Sequence, residues 1–165
     1  MRNTALVVID LQNDITKNYK DIIDNVNGAI DWAVKNDLTV VYIRHENLSA
    51  GTRTFKTGTR GAELVDDLKI VSNNIFTKYK GSALSSEEFA EFISKNGISD
   101  FYVAGADAVA CVKCTCYNLR KANYGVYVIS DCVTSYNKNK IPEMLEYYES
   151  KGCRIMGLKD LSNMR

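Results

Sequence analysis

Apolar runs typical of strands alternate with apolar stripes of helical period along this chain. Ala5-Leu-Val-Val-Ile9 is a continuous run rich in β-branched residues, ended by Asp10, as expected of a strand covered on both faces. Over residues 20–35 the period lengthens, and Ile22, Ile23, Val26, Ile30, Ala33 and Val34 predict a helix with one buried face. Residues 38–43 predict a second strand. Residues 44–61 are polar and contain Gly51, Gly58 and Gly61, which predicts a long loop of the kind that carries function. Residues 75–78 predict a short third strand. Ser85-Ser86-Glu87-Glu88 resembles a capping box ahead of Phe89, Phe92 and Ile93, with a helix stop at Asn96-Gly97. Beyond it come a strand at 101–104, a turn at 105–110, a helix at 109–123 and a strand at 126–129. A helix at 142–151 follows, with Pro142 in its first turn and Gly152 closing it, and then a last strand at 154–156.

Strand-then-helix order of this kind predicts an α/β fold: one domain over residues 1–165, with a mainly parallel sheet carrying helices on both faces. In such sheets ligands sit beyond the carboxyl ends of the strands, so residues that immediately follow strands are the ones to weigh. Composition narrows the partners. Lys plus Arg number 21 and Asp plus Glu 20, giving a net charge of +1 without a basic segment, which argues against nucleic acid. The early apolar run is too short for a membrane span or a leader. Five cysteines, with 111, 114 and 116 crowded together, do not form the pattern of a secreted disulfide framework, and a cytoplasmic location is expected.

Asp10 follows the first strand, Lys78 ends the third, and Cys111 lies where the turn after Gly105 feeds a helix. All three therefore project from the same edge of a parallel sheet. A free thiol titrates near about 8.5, and its thiolate is the nucleophile. A helix N-terminus and a neighbouring Lys78 would both favour that thiolate. Asp10 could take the thiol proton and return it to a leaving amine, while backbone N–H groups around Asp107 and Cys111 could hold an oxyanion. Taken singly, each residue also has an ordinary reading: Cys111 as a small core residue, Asp10 as a turn cap, Lys78 as solvated surface.

Four segments together resemble the isochorismatase-like cysteine hydrolases. Ala5-Leu-Val-Val-Ile-Asp-Leu-Gln-Asn-Asp14 resembles their opening motif, and Thr77-Lys-Tyr-Lys-Gly-Ser-Ala-Leu84 their lysine segment. Val103-Ala-Gly-Ala-Asp-Ala-Val-Ala-Cys-Val112 resembles their nucleophile turn, and Val128-Ile-Ser-Asp-Cys-Val-Thr-Ser135 the strand and turn that follow. The resemblance implies a three-layer α/β/α domain whose six-stranded sheet has the order 3-2-1-4-5-6. It implies Asp10, Lys78 and Cys111 as the catalytic triad. It also implies a non-prolyl cis peptide at Ala106-Asp107, which directs the Asp107 N–H, with that of Cys111, into an oxyanion hole. Ile15 and Tyr79 are placed near the pocket, specificity falls to residues 47–61, and a homo-oligomer, a dimer or larger, is implied.

Departures from the family pattern sharpen the expectation. Ala108 and Val109 stand where many relatives have a hydroxyl residue. Nicotinamidase-type relatives bind a metal through an Asp-x-His and a further histidine, whereas this chain has one histidine, His45. No metal and no cofactor are expected on that account, and His45 is read as a structural or pocket-lining residue. Cys111, Cys114 and Cys116 spread around a helix rather than sharing a side, which argues against a cysteine metal site. Relatives that cleave a vinyl ether lack the cysteine, so its presence points to amide chemistry. The expected function is a metal-independent hydrolase of a small amide, ureido or lactam compound through an acyl-enzyme. The alternative is a catalytically silent member that binds a metabolite or partner. A flavodoxin-like or dinucleotide-binding domain shares the alternation, but Asp10-Leu-Gln-Asn stands where a glycine-rich phosphate loop would be.

Overall fold

The first apolar run becomes strand β1 (Thr4–Ile9), buried along its whole length because neighbours pair with it on both edges and helices cover both faces. The computed structural model describes residues 3–49, 51 and 54–163, so positions 50, 52 and 53 of the expected long loop lie outside the described residues. β2 (Thr39–His45), β3 (Ile75–Lys78), β4 (Asp100–Ala106), β5 (Gly125–Thr134) and β6 (Arg154–Met156) complete a sheet of order β3-β2-β1-β4-β5-β6. Every pairing is parallel, as expected.

Strand alternation sorts the core into two layers. Leu6 and Val8 face one side, with Tyr19 of helix α1 (Thr16–Tyr19), the apolar stripe of α2 (Ile23–Lys35) and Leu161 of α6 (Leu158–Ser162). Ala5, Val7 and Ile9 face the other, against Phe89 and Ile93 of α3 (Glu87–Lys95), Val112, Cys116 and Leu119 of α4 (Cys111–Lys121), and Met144 and Tyr148 of α5 (Ile141–Ser150). The stripe of α2 stops at Ala33; Val34, assigned to it by period, is 51% exposed. Among the described residues no helix is long and apolar enough to cross a membrane.

Several boundaries differ from the periodicity for physical reasons. β2 continues through Arg44 and His45 because these polar residues pair in register with Thr77 and Lys78. β5 continues past the polar pair Ser130-Asp131: its register against β4 jumps from Val103↔Val128 to Gly105↔Val133, an irregularity that re-aims the end of the strand. The N-cap of α3 is Ser86, whose Oγ accepts from the Phe89 N–H at 3.3 Å. Phe89 therefore takes the position where a reciprocal box would need Glu or Gln. α4 starts at Cys111 rather than 109, since Ala110 has φ −124 and ψ −97, outside the helical region. The turn before it needs Gly105: its φ is +122, and a Cβ there would stand 2.2 Å from the Ile9 carbonyl oxygen, so only glycine lets β4 approach β1 at this point.

Candidate active site

The ends of β1, β2 and β3 and the start of α4 bring four side chains together. Asp10 sits just past β1 with φ 55. Its N–H donates to the Ile43 carbonyl at 3.0 Å, which holds the residue in a left-handed conformation rare outside glycine. Lys78 is the last residue of β3 and the register partner of His45. Asp10 is 2% and Lys78 0% exposed, so the reading of Lys78 as solvated surface is set aside. Cys111 is the first residue of α4 and half-buried.

One ammonium organises the cluster. Lys78 Nζ lies 3.1 Å from Asp10 Oδ2, 3.3 Å from Cys111 Sγ and 2.9 Å from His45 Nδ1, one partner for each of its three N–H bonds. His45 Nε2 is 3.1 Å from Asn47 Oδ1. The network is satisfied when Nδ1 accepts from Lys78 and Nε2–H donates to Asn47, which assigns the neutral tautomer. His45, expected as a structural or pocket-lining residue, is thus a direct partner of Lys78. Asp10 Oδ1 is buried and has no hydrogen-bond partner. The donor atoms of Asp10, His45 and Cys111 lie within 4.8 Å of one another, a spacing able to hold a metal ion that sequence spacing alone did not suggest. In this structure the cation that these donors share is the Lys78 ammonium.

Burial sets the proton affinities. It raises the Asp10 carboxyl, against the opposing pull of Lys78 and a hydrogen bond with Cys111. Burial first, and the Asp10 charge second, push the Cys111 thiol up to about 12, and Lys78 pulls it down too weakly to reverse them. The expectation that Lys78 and the helix end would yield a low-pKa thiolate is corrected accordingly: desolvation outweighs both.

The peptide Ala106-Asp107 is cis. In the turn that follows, the N–H groups of Ala108, Ala110 and Val112 donate to Thr134, Asp107 and Asp107 carbonyls, and that of Val109 to the Asp107 carboxylate. The N–H groups of Asp107 and Cys111 have no such partner among the described residues.

Several described residues of the segment after β2 are tied to the residues that follow β1. Gln12, fully buried, donates through Nε2 to the carbonyls of His45 at 2.7 Å and Ala62 at 2.8 Å and accepts from the His45 N–H at 2.8 Å. Asp14 Oδ2 accepts from the Phe55 N–H at 2.6 Å, and the Phe55 ring lies 5.9 Å from that of His45. Sequence reasoning left out Gln12, Asp14 and Phe55; the polar run Gln12-Asn13-Asp14 directly after a buried strand was the available signal. Ile15 packs, partly buried, against the core layer of α2. Tyr79 is 53% exposed and lines a cavity of about 520 Å³ with Thr77, Ser85, Ser86, Glu87 and Glu88, away from the four clustered side chains. Cys114 is exposed and Cys116 buried, so the three neighbouring cysteines do not converge.

The model of the isochorismatase domain matches residues 4–160. A protein of Arabidopsis thaliana described as a probable inactive nicotinamidase is 29% identical over 160 residues, covering 81% of this chain and 82% of its own. Among solved structures, an isochorismatase family protein from Desulfovibrio vulgaris superposes with TM-score 0.90 at 19% identity, covering 99% of this chain and 98% of its own. N-carbamoylsarcosine amidase from Thermoplasma acidophilum superposes with TM-score 0.83 at 21% identity, covering 96% and 97%. Strand order, extent of match and backbone agreement lead to one assignment: the chain belongs to the isochorismatase family.

Proposed function

We propose that the chain is a metal-independent cysteine hydrolase that cleaves the C–N bond of a small amide, ureido or lactam compound through an acyl-enzyme on Cys111. The observation that carries this reading is the single Lys78 ammonium bonded at once to Asp10 Oδ2 and Cys111 Sγ. The Asp10 carboxylate, hydrogen-bonded with Cys111, is the acceptor available for the thiol proton. With the thiol held near about 12, that proton leaves as sulfur attacks the carbonyl carbon rather than beforehand. The C–S bond forms, and the carbonyl electron pair moves onto oxygen, where the Asp107 and Cys111 N–H groups receive it. Asp10 then gives its proton to the leaving nitrogen as the C–N bond breaks. Water, deprotonated by Asp10, attacks the thioester and releases the acid and the thiol. Lys78 counters the charge on sulfur and carboxylate throughout, and His45, held by Asn47, orients Lys78. Support for a C–N bond comes from the N-carbamoylsarcosine amidase neighbour. Residues 1–165 as one domain, a cytoplasmic location, suggested by five free thiols, and assembly as a dimer or larger complete the reading.

A second reading, a silent member that binds a metabolite or partner, is favoured by the raised thiol and by the relative described as a probable inactive nicotinamidase. One experiment separates the two. The protein is incubated with a panel of small amides, ureido compounds and lactams; ammonia release is followed where the chemistry liberates ammonia and ring opening is followed for lactams. Acid-quenched samples are analysed by mass spectrometry. Product together with an acyl adduct on the Cys111 peptide is expected; neither product nor adduct from any compound selects the silent reading.

The base assignment predicts a pH profile. Asp10 acts as carboxylate, so kcat/KM falls as pH drops through its folded value, which burial raises. The acid limb therefore lies above the ordinary carboxylate value of about 3.9. Rates measured from about pH 3 to 9 with any turned-over substrate check this, and a limb at or below the ordinary value would remove Asp10 as the base.

A further inference from the structure

The side chain of Asp107 sits in the turn between β4 and Cys111, and all of its acceptors are taken. Oδ2 accepts from the Tyr19 hydroxyl at 2.8 Å and from the Tyr136 N–H at 2.9 Å. Oδ1 accepts from the Val109 N–H at 2.9 Å. The main-chain oxygen accepts from the N–H groups of Ala110 at 3.0 Å and Val112 at 3.1 Å. The only hydrogen-bonding group of this residue left without a partner among the described residues is its N–H. The donors come from three separate places: α1, the segment after β5, and the turn that runs into the first residues of α4.

We propose, resting on the hydrolase reading above, that Tyr19 and the Asp107 carboxylate form a clamp that positions the oxyanion hole. The reasoning is electrostatic as well as geometric. A carboxylate on the residue that supplies an oxyanion donor would repel the developing negative charge unless its own charge were already drawn off. Donors from outside the turn do that while pinning the peptide. Burial alone would raise the Asp107 carboxyl, but the bonds from Tyr136, Val109, Ser135 and Tyr19 outweigh it and hold it below its usual value. Burial, then the bond and charge of Asp107, raise the Tyr19 phenol, with smaller contributions from Cys111 and Asp10, so Tyr19 stays a donor at neutral pH. Tyr19 is itself fixed: it is buried, and Lys138 packs over its ring with Nζ 5.8 Å from the centroid. Lys138 Nζ also bonds the Asn18 carbonyl at 2.8 Å and Thr134 Oγ1 at 2.6 Å, linking α1 to the end of β5. Tyr19 and the Asp107 side chain are thus positioning residues, acting on the reaction through the Asp107 N–H.

The test uses two probes that differ in their need for an oxyanion hole. Iodoacetamide alkylates sulfur by displacement of iodide and places no charge on a carbonyl oxygen. Benzaldehyde adds the thiol across its C=O: sulfur bonds to carbon, and the thiol proton ends on oxygen, which occupies the oxyanion position. Alkylation is followed on the Cys111 peptide by mass spectrometry at about pH 9.5, where a raised thiol still supplies some thiolate, and in the wild type benzaldehyde is expected to protect it. In Tyr19→Phe and in Asp107→Asn the benzaldehyde concentration for half protection should rise by about tenfold or more, as for a weakened oxyanion donor. The alkylation rate without aldehyde and the thermal midpoint of Tyr19→Phe should stay close to wild type. Unchanged protection in both variants, or a parallel loss of protection and alkylation, would overturn the clamp. A wild-type protein that turns over no compound of the panel and acquires no acyl adduct on Cys111 would instead overturn the hydrolase reading, and the clamp with it.

Discussion

Replacing Cys111 by alanine lowers kcat/KM toward any substrate that the wild type turns over by about four orders of magnitude or more, the scale on which a nucleophile acting as part of a unit is lost. Stability is expected to change by no more than about 1 kcal/mol. Alanine is the residue best suited to a helix, Cys111 is only half-buried, and what is lost is a 3.3 Å contact of sulfur with Lys78 and a weak thiol hydrogen bond with Asp10. Cys111→Ser tests a finer point. A hydroxyl keeps a hydrogen bond to Lys78 but gives up its proton far less readily than a thiol. In a site where burial and the Asp10 charge already oppose ionisation, serine should be nearly as inactive as alanine. Product release by both variants, with their thermal midpoints, is the measurement. An alanine variant that keeps a tenth or so of the wild-type rate would remove Cys111 from the chemistry.

The fold was legible because it is written in apolar periodicity. Ala5 to Ile9 could only be a strand buried on both faces, and the alternation after it left a parallel sheet as the economical solution. The placement of Asp10 and Cys111 followed, since each stands directly beyond a strand or the turn that leaves one. Lys78 was harder to read. No local pattern distinguishes a lysine at the end of a short strand from one on the surface, and its burial depends on Asp10, His45 and Cys111, three residues far away in sequence. The same holds for His45: its role comes from the register that pairs it with Lys78, and register between β2 and β3 is not encoded in either strand alone.

What the sequence does not show is how polar residues find partners across long separations. Tyr19 reaches Asp107 across 88 positions, and Gln12 joins the His45 and Ala62 carbonyls across 33 and 50. Periodicity reports which face of an element is apolar and says nothing about such partners. The electrostatic misjudgement over Cys111 has a similar origin. The helix end and the cation were visible in the sequence, whereas the depth of burial and the Asp10 charge beside the thiol emerge only from the assembled fold. In the proposed mechanism the raised thiol makes proton transfer to Asp10 part of the attack, so that the carboxylate would be required in the acylation step itself.

Lys78→Met is expected to produce the largest loss of stability. Methionine preserves most of the side-chain length and removes the charge. Asp10, 2% exposed, then loses the 3.1 Å ammonium partner at Oδ2 and keeps only its hydrogen bond with the uncharged Cys111 thiol, and His45 Nδ1 loses its donor. Breaking a buried pair by removing one member costs about 3–5 kcal/mol, a large share of the roughly 5–15 kcal/mol that holds a domain folded. The loss should depend on pH with a definite sign. Without Lys78, burial acts on Asp10 with its main opponent gone, so the folded-state value rises further above the unfolded value of about 3.9. A group raised in this way binds its proton more tightly in the folded state, and its contribution to stability disappears as pH climbs through the folded value. The deficit of Lys78→Met relative to wild type is therefore smallest near pH 4, grows as pH rises and levels off once Asp10 is ionised in both states. Urea denaturation at pH 4.5 and 7.5 measures it, and the double variant Asp10→Asn with Lys78→Met should recover most of the stability at pH 7.5. A deficit equal at both pH values, unrelieved in the double variant, would assign the loss to packing of the lysine stem instead of to an uncompensated buried carboxylate.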